Sequence, residues 1–218
     1  MRGQSEKPTT IIAVRHGETE WNRVGRQQGH LDSPLTPLGK QQALSMADAL
    51  SSRSVQLIYS SDLGRAQETA TLIAARLNLQ VRTDARLRER NLGILEGQTM
   101  SQFREKHPPE AASLASGDPD FALPGGESAR QRFVRNVECV EEIARKHAGN
   151  TVLVVGHGGV LNSFFHKAVQ LPLETRRSFS LFNAAVNVFT VADSGWRLET
   201  WGDVSHLRTI PTLDLEDA

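Results

Sequence analysis

A single cysteine, no net charge and no long apolar run each remove a class of protein from consideration. Cys139 alone cannot build an intrachain disulfide framework or a cysteine-based zinc site, a usage that fits a reducing compartment. It lies among Val137, Val140 and Ile143 at helical spacing and reads as a small buried hydrophobe rather than a reactive thiol. Lysine plus arginine and aspartate plus glutamate both number 25, so no net positive field draws nucleic acid or an anionic membrane. No run approaches the length of a membrane span, and the polar leader Met1 to Pro8 lacks the apolar segment of a secretory signal. The expectation is a soluble, cytoplasmic protein in which any anion site is local.

What is present is ordinary in bulk: 39% hydrophobic and 23% charged residues over 218 positions, enough chain to bury most of a core. No linker composition divides it. We therefore expect one domain over 1–218, with 98–126 as a cap or lid excursion and 1–8 and 208–218 as flexible ends.

The stretch RHGETEWN, Arg15 to Asn22, directly follows the apolar run Ile11 to Val14. Such a run reads as a buried strand, which places an Arg-His pair where the strand stops and the chain turns. Thr36-Pro37 then opens an amphipathic helix carrying Ala43, Met46, Ala47 and Leu50. Val55 to Tyr59 reads as a second strand, and SSDLGR leads into a helix with Ala66, Ala70, Ile73 and Leu77 on one side. A weak strand follows near Val81. From Gln98 to Gly126 the pattern loosens into a short helix around Met100 and Phe103, a Pro108-Pro109 break and a loop, the kind of segment that often faces substrate. A long helix is expected from Glu127 to His147, with Phe133, Val137, Val140 and Ala144 inward and Gly149 past its end. Val152 to Val155 makes another buried strand ending in Gly156, His157, Gly158 and Gly159, and a further helix follows. Ala184 to Val191 and Trp196 to Trp201 read as a hairpin at one edge of the sheet, either pairing across a homodimer or remaining the free edge of a monomer.

If the strands run parallel, as strand–helix–strand connections require, Arg15-His16, Arg65 and His157 share one edge of the sheet. Two imidazoles and two guanidiniums gathered there repel one another and invite a dianion, for which a phosphomonoester is the obvious candidate. His16 can attack phosphorus through one ring nitrogen while the other is held by a backbone hydrogen bond. Arg15 and Arg65 would grip the phosphoryl oxygens, with His157 and the backbone N–H groups near Gly158 as further donors. The leaving alkoxide needs a proton, and Glu89, Glu96 and Glu18 all qualify as the acid on sequence grounds.

RHGETEWN, SSDLGRAQETA, the RER of residues 88–90 and VVGHGG, in that order, resemble the histidine phosphatase superfamily, in its phosphoglycerate-mutase-like branch; ETWGDVSHL near the end is similar to small bacterial members. The resemblance implies a three-layer α/β/α sandwich around a mixed, mostly parallel sheet of about six strands, with a cap over residues 98–126. It implies His16 as the phosphorylated residue, Arg15, Arg65 and His157 completing the pocket, and Glu89 as proton donor. It also implies substrate contacts from Gly17, Asn22, Gln28, Gly29 and Gly158, and no metal or other cofactor. Glu89 is followed by RNLGILEG, similar to the phosphatase members, whereas true mutases carry a longer insertion there. Gln67 stands where some relatives have a second arginine.

The expected activity is hydrolysis of a small phosphomonoester. The alternatives are a 2,3-bisphosphoglycerate-dependent phosphoglycerate mutase and a non-catalytic phospho-ligand binding module. His30, His107, His147, His166 and His206 show no HExxH or paired-ligand spacing and read as surface or capping positions, with His206 a candidate to approach the site from the C-terminal segment.

Overall fold

The computed structural model describes residues 7–214. Strand β1 (Thr9–Arg15) is followed by a one-turn helix α1 (Glu20–Arg23), then α2 (Pro37–Leu50), β2 (Leu57–Ser60), α3 (Gly64–Leu77) and β3 (Val81–Thr83). Helices α4 (Met100–Lys106) and α5 (Pro108–Ala115) precede the long α6 (Ala129–Lys146), β4 (Thr151–Gly156), α7 (Gly158–Val169) and the hairpin β5 (Val186–Ala192) and β6 (Gly195–Asp203). The six strands lie in the order β3-β2-β4-β1-β5-β6. Strands β3, β2, β4 and β1 are mutually parallel, and β5 is antiparallel to both of its neighbours. This is the mixed, mostly parallel α/β sheet that the family resemblance implies.

The apolar runs of β1 and β4 are continuous because both faces of the central strands are covered. Ile11, Ala13, Val152 and Val154 meet α6 and α7 through Cys139, Val140, Ile143, Val160, Leu161 and Phe164. Ile12, Val14, Leu153 and Val155 meet α2 and α3 through Met46, Ala47, Leu50, Ala66, Ala70 and Ile73. Cys139 is buried and burial pushes its thiol up to about 12, which suits a packing role. In register, Arg15 lies beside Gly156, so the residues leaving β1 and β4 emerge side by side at the carboxyl edge of the sheet. Thr36 caps α2 by accepting from the Gly39 N–H at 2.9 Å, with Pro37 in the first turn, as its sequence predicts.

Several expectations are corrected. The 98–126 segment is not a structure-poor loop: Pro108 starts α5 instead of ending order, because the first helical turn needs no N–H from it. Phe103 is buried with Leu92, Leu95, Ala111, Leu114 and Leu123 in a small core of the cap's own, so it does not face a substrate. Helix α6 begins at Ala129, capped by Ser128, and its inward face near that end carries buried Arg132 and Asn136 while Phe133 is only half-buried. Strand β5 is paired on both sides, so it offers no free edge to a second copy; the outer edge belongs to β6. His166 is buried rather than superficial, its Nδ1 3.2 Å from the Leu171 carbonyl. Of the expected flexible ends, residues 1–6 and 215–218 lie outside the described residues. The described tail is tied down: the Leu213 carbonyl accepts from the Asn183 N–H at 2.8 Å, and Thr212 donates to the Asn183 carbonyl at 2.7 Å. No helix among the described residues is long and apolar enough to cross a membrane.

Candidate active site

A cavity of about 830 Å³ opens at the carboxyl edge of the sheet, walled on one side by strand ends and on the other by the cap. Arg15, His16, Asn22, Gln28, Gly29, Arg65, Glu89 and Gly158 all line it. His157 stands directly behind, its ring 5.3 Å from that of His16. Arg15, His16, Arg65 and His157 are 2, 3, 2 and 0% exposed, so four groups that can carry charge are themselves buried at the floor of the cavity.

The backbone of His16 is held from two sides, its N–H bonded to the Gly156 carbonyl at 3.0 Å and its carbonyl accepting from the Asn183 side chain at 3.0 Å. Its Nδ1 lies 2.8 Å from the Gly17 carbonyl. A carbonyl can only accept, so Nδ1 carries the proton and, in the neutral ring, Nε2 keeps its lone pair. That lone pair faces the Arg65 Nε at 3.3 Å. Gly17 itself is off the cavity wall and acts from behind: a Cβ there would come within 2.3 Å of the Gly39 carbonyl oxygen, so only glycine lets this turn pack on the start of α2.

Arg65 is aimed by three acceptors: the Gly29 carbonyl at 2.9 Å, the Leu31 carbonyl at 2.9 Å and Asp32 Oδ1 at 3.0 Å. Arg15 donates to the Leu181 carbonyl, while its Nε has no partner among the described residues. Neither ring nitrogen of His157 has one either. The Arg15 Nε–H and the one N–H of a neutral His157 ring are thus unpaired donors beside His16, which suits binding of a multiply charged oxyanion.

Burial holds both imidazoles well below the usual histidine value, with the positive charge of Arg65 as the next cause in each and Arg15 adding to it at His16. Both rings are therefore neutral near pH 7. Burial also lowers Arg15 to about 10, against the attraction of Glu89 and Asp214, which leaves it a cation at that pH.

Of the three candidate acids, only Glu89 reaches the cavity. Glu18 is buried and accepts from the Thr36 hydroxyl at 2.8 Å. Glu96 closes a loop by accepting from the His30 N–H at 2.8 Å and the Leu92 N–H at 3.0 Å. Glu89 accepts from the Gly159 N–H at 2.9 Å and the Arg90 N–H at 2.7 Å. The first turn of α7, expected to serve a phosphate directly, thus holds Glu89. A Cβ at Gly159 would lie 2.0 Å from Glu89 Oε1, so that residue must be glycine for the carboxylate to sit there.

Sequence reasoning missed the support behind this arrangement. Arg135 of α6 donates to the carbonyls of Arg86, Arg88 and Glu89 at 2.9, 2.8 and 2.7 Å and is itself held by Glu127, which fixes the Glu89 loop. Asp32 and Asn183 were also missed. Arg132 and Asn136 carried a readable signal, since they fall at helical spacing with the core positions Cys139, Val140 and Ile143. The C-terminal segment does reach the site, through Leu213 and Asp214. His206 does not line it; its carbonyl accepts from Ser45 at 2.6 Å. Arg104 of the cap lines the cavity, whereas Phe121 and Lys106 do not.

A family model of the histidine phosphatase superfamily (branch 1) matches residues 11–204. The chain belongs to that superfamily. It is 41% identical over 201 residues to phosphoglycerate mutase-like protein 4 of Arabidopsis thaliana, covering 90% of this chain and 86% of that one. It is 39% identical over 208 residues to the metal-independent phosphoserine phosphatase of the same plant, covering 94% and 86%. Among solved structures, Bacillus stearothermophilus YhfR superposes with a TM-score of 0.85 at 34% identity, covering 92% of this chain and all of that one. In this member of the superfamily Arg15 ends β1, His16 and His157 directly follow the neighbouring strands β1 and β4, Arg65 stands in the first turn of α3, and Glu89 lines the same cavity.

Proposed function

We propose that this member of the histidine phosphatase superfamily hydrolyses a small phosphomonoester through a phosphohistidine at His16, without a metal. The observation that carries the reading is the fixed tautomer of His16: Nδ1 on the Gly17 carbonyl, Nε2 neutral and turned toward Arg65. The Nε2 lone pair attacks phosphorus in line as the bond to the ester oxygen breaks, and Glu89 gives that oxygen its proton. Glu89, now a carboxylate, takes a proton from water. The water oxygen bonds to phosphorus as the bond to Nε2 breaks, which returns neutral His16 and inorganic phosphate. Arg15, Arg65 and His157 carry the charge of the three phosphoryl oxygens throughout.

Hydrolysis is favoured over phosphoryl return to the product by the width of the cavity, whose volume of about 830 Å³ leaves room for water beside a small ester. The names of the relatives point both ways, one mutase-like and one a phosphatase. The test is incubation with 3-phosphoglycerate, with and without 2,3-bisphosphoglycerate. Release of inorganic phosphate independent of the bisphosphate is expected; rapid conversion to 2-phosphoglycerate with little free phosphate would replace hydrolase by mutase. No release of phosphate from p-nitrophenyl phosphate or a metabolite panel would leave a binding module. The partner in this reading is a small molecule, met in the cytoplasm, with no nucleic acid or membrane involved.

A further inference from the structure

The cavity is far larger than a phosphoryl group, and its cationic lining does not stop at Arg15 and Arg65. Beyond Glu89, on the side of α6 and α7, stand Arg132, Arg90 and Asn162. Arg132 is 8% exposed, and its Nε donates to the Ser163 hydroxyl at 3.3 Å. That hydroxyl also contacts Asn136, whose amide donates to the Arg86 carbonyl at 2.7 Å. The guanidinium is thus anchored at its base. Its Nη1 lies 2.9 Å from where a Gly159 Cβ would stand, next to Glu89 on the wall. Arg90 is tied to the Glu127 and Phe121 carbonyls at 2.8 and 2.9 Å. The Asn162 amide oxygen is buried without a partner among the described residues.

Glu89 shares the cavity wall with two sets of cationic groups: Arg15 and Arg65 beside His16, and Arg90 and Arg132, the latter reaching the Gly159 position that Glu89 also occupies. The proton donor must touch the ester oxygen, so with phosphorus on the Arg15 side the carbon half of the substrate extends toward Arg132. A buried arginine that the hydrolytic step does not use, beside an unpaired amide acceptor, suits an anion carrying a neighbouring N–H or O–H donor.

We propose that Arg132, supported by Arg90 and Asn162, forms a second anion site that selects phosphomonoesters bearing a carboxylate on the alcohol half, one or two carbons from the ester oxygen. An α-amino or α-hydroxy group on the same carbon skeleton would donate to Asn162. The inference rests on the proposed hydrolysis at His16 for its orientation, and Arg132 is a specificity residue that takes no part in bond making.

The test uses pairs of primary alkyl esters that differ by the carboxylate: O-phosphoserine against O-phosphoethanolamine, and 3-phosphoglycerate against glycerol 3-phosphate. The wild-type protein should prefer the carboxylate member of each pair in kcat/KM. Arg132→Leu, or Arg132→Gln should the first fold poorly, should collapse that preference by about 10- to 100-fold, the size expected for loss of a bidentate charge-assisted contact. Equal losses on both members would mean that Arg132 serves Glu89 and not the substrate, and would overturn the proposal, as would a wild type indifferent to the carboxylate. Should no ester be hydrolysed at all, the proposed hydrolysis fails and the anion site is judged by calorimetry on the same pairs: tighter binding of the carboxylate members, lost in the Arg132 variants, upholds it, and equal binding overturns it.

Discussion

The two walls of the cavity are built on different principles. The sheet wall takes Arg15, His16, Arg65 and His157 from the ends of strands or the turns after them, each fixed by backbone carbonyls or by packing, and all nearly sealed from solvent. The opposite wall has mixed polarity: Leu92, Met100, Arg104 and Leu114 stand on or beside a small separate core around Phe103 and Leu95, and Arg132 comes from α6, where Ser163 of α7 holds it. A phosphoryl group is the same in every substrate, so the wall that holds it can be rigid and built from backbone geometry. In the proposed reaction the alcohol half differs between substrates and meets a wall made from side chains of the cap, α6 and α7. Chemistry and selection are therefore open to separate damage.

Loss of the attacking atom should have the largest effect. His16→Ala is expected to cost about 10⁴-fold or more in kcat on every ester, aryl or alkyl, because no other neutral nitrogen on the wall is fixed for attack. Activity within tenfold of wild type would move the nucleophile elsewhere. Next, Glu89→Gln should slow alkyl phosphates by about 10²- to 10⁴-fold and p-nitrophenyl phosphate far less, since a good leaving group needs little proton assistance. Equal slowing of both would assign the acid to another residue. Asp32→Asn removes the charged partner of Arg65 at 3.0 Å and should cost about tenfold in kcat/KM on all substrates alike, a sheet-wall signature.

On the cap side, Phe103→Ala should destabilise by about 3–5 kcal/mol, read by denaturant unfolding, because a fully buried aromatic leaves a cavity behind. Its effect on substrate choice should exceed its effect on the small aryl ester; the reverse would show that the walls are coupled.

Acid gives the smallest response over its first unit. The folded protein holds His16 and His157 well below 6.5, so kcat/KM should not fall through protonation of His16 between pH 7.5 and 6.5. Stability has the matching sign. Below about pH 6.5 the unfolded chain takes up protons that the folded one refuses at these two sites, so unfolding free energy should decline as the pH is lowered. An acid limb centred above 6.5 would contradict the burial of His16.

The difference between the walls also governs how much was legible in the sequence. The strand-end residues were readable because an unbroken apolar run followed by Arg-His or His-Gly declares both a buried strand and what stands at its end. Thr36-Pro37 declared the start of α2 in the same local way. The cap was not readable: Pro108-Pro109 looks like a break until one knows that Pro108 occupies the first turn of α5, where a missing N–H costs nothing. Arg132 was overlooked because the helical pattern of α6 was phased on Phe133 instead of on Cys139, Val140 and Ile143. Asp32 and Asn183 lie in irregular segments, 33 residues and 167 residues from the groups they bond, and such pairings exist only once the chain is folded. Which of Glu18, Glu89 and Glu96 lines the cavity depends on hydrogen bonding that sequence spacing does not encode.

The central claim is that one atom, Nε2 of His16, carries the phosphoryl group between ester and water. Rapid quenching of a turnover with a ³²P-labelled ester, followed by peptide mapping, tests it most directly. An acid-labile, alkali-stable label on His16 at Nε2, absent from His16→Ala, is the predicted result. A wild-type protein that hydrolyses the ester without labelling, or a label that persists in His16→Ala, would contradict it.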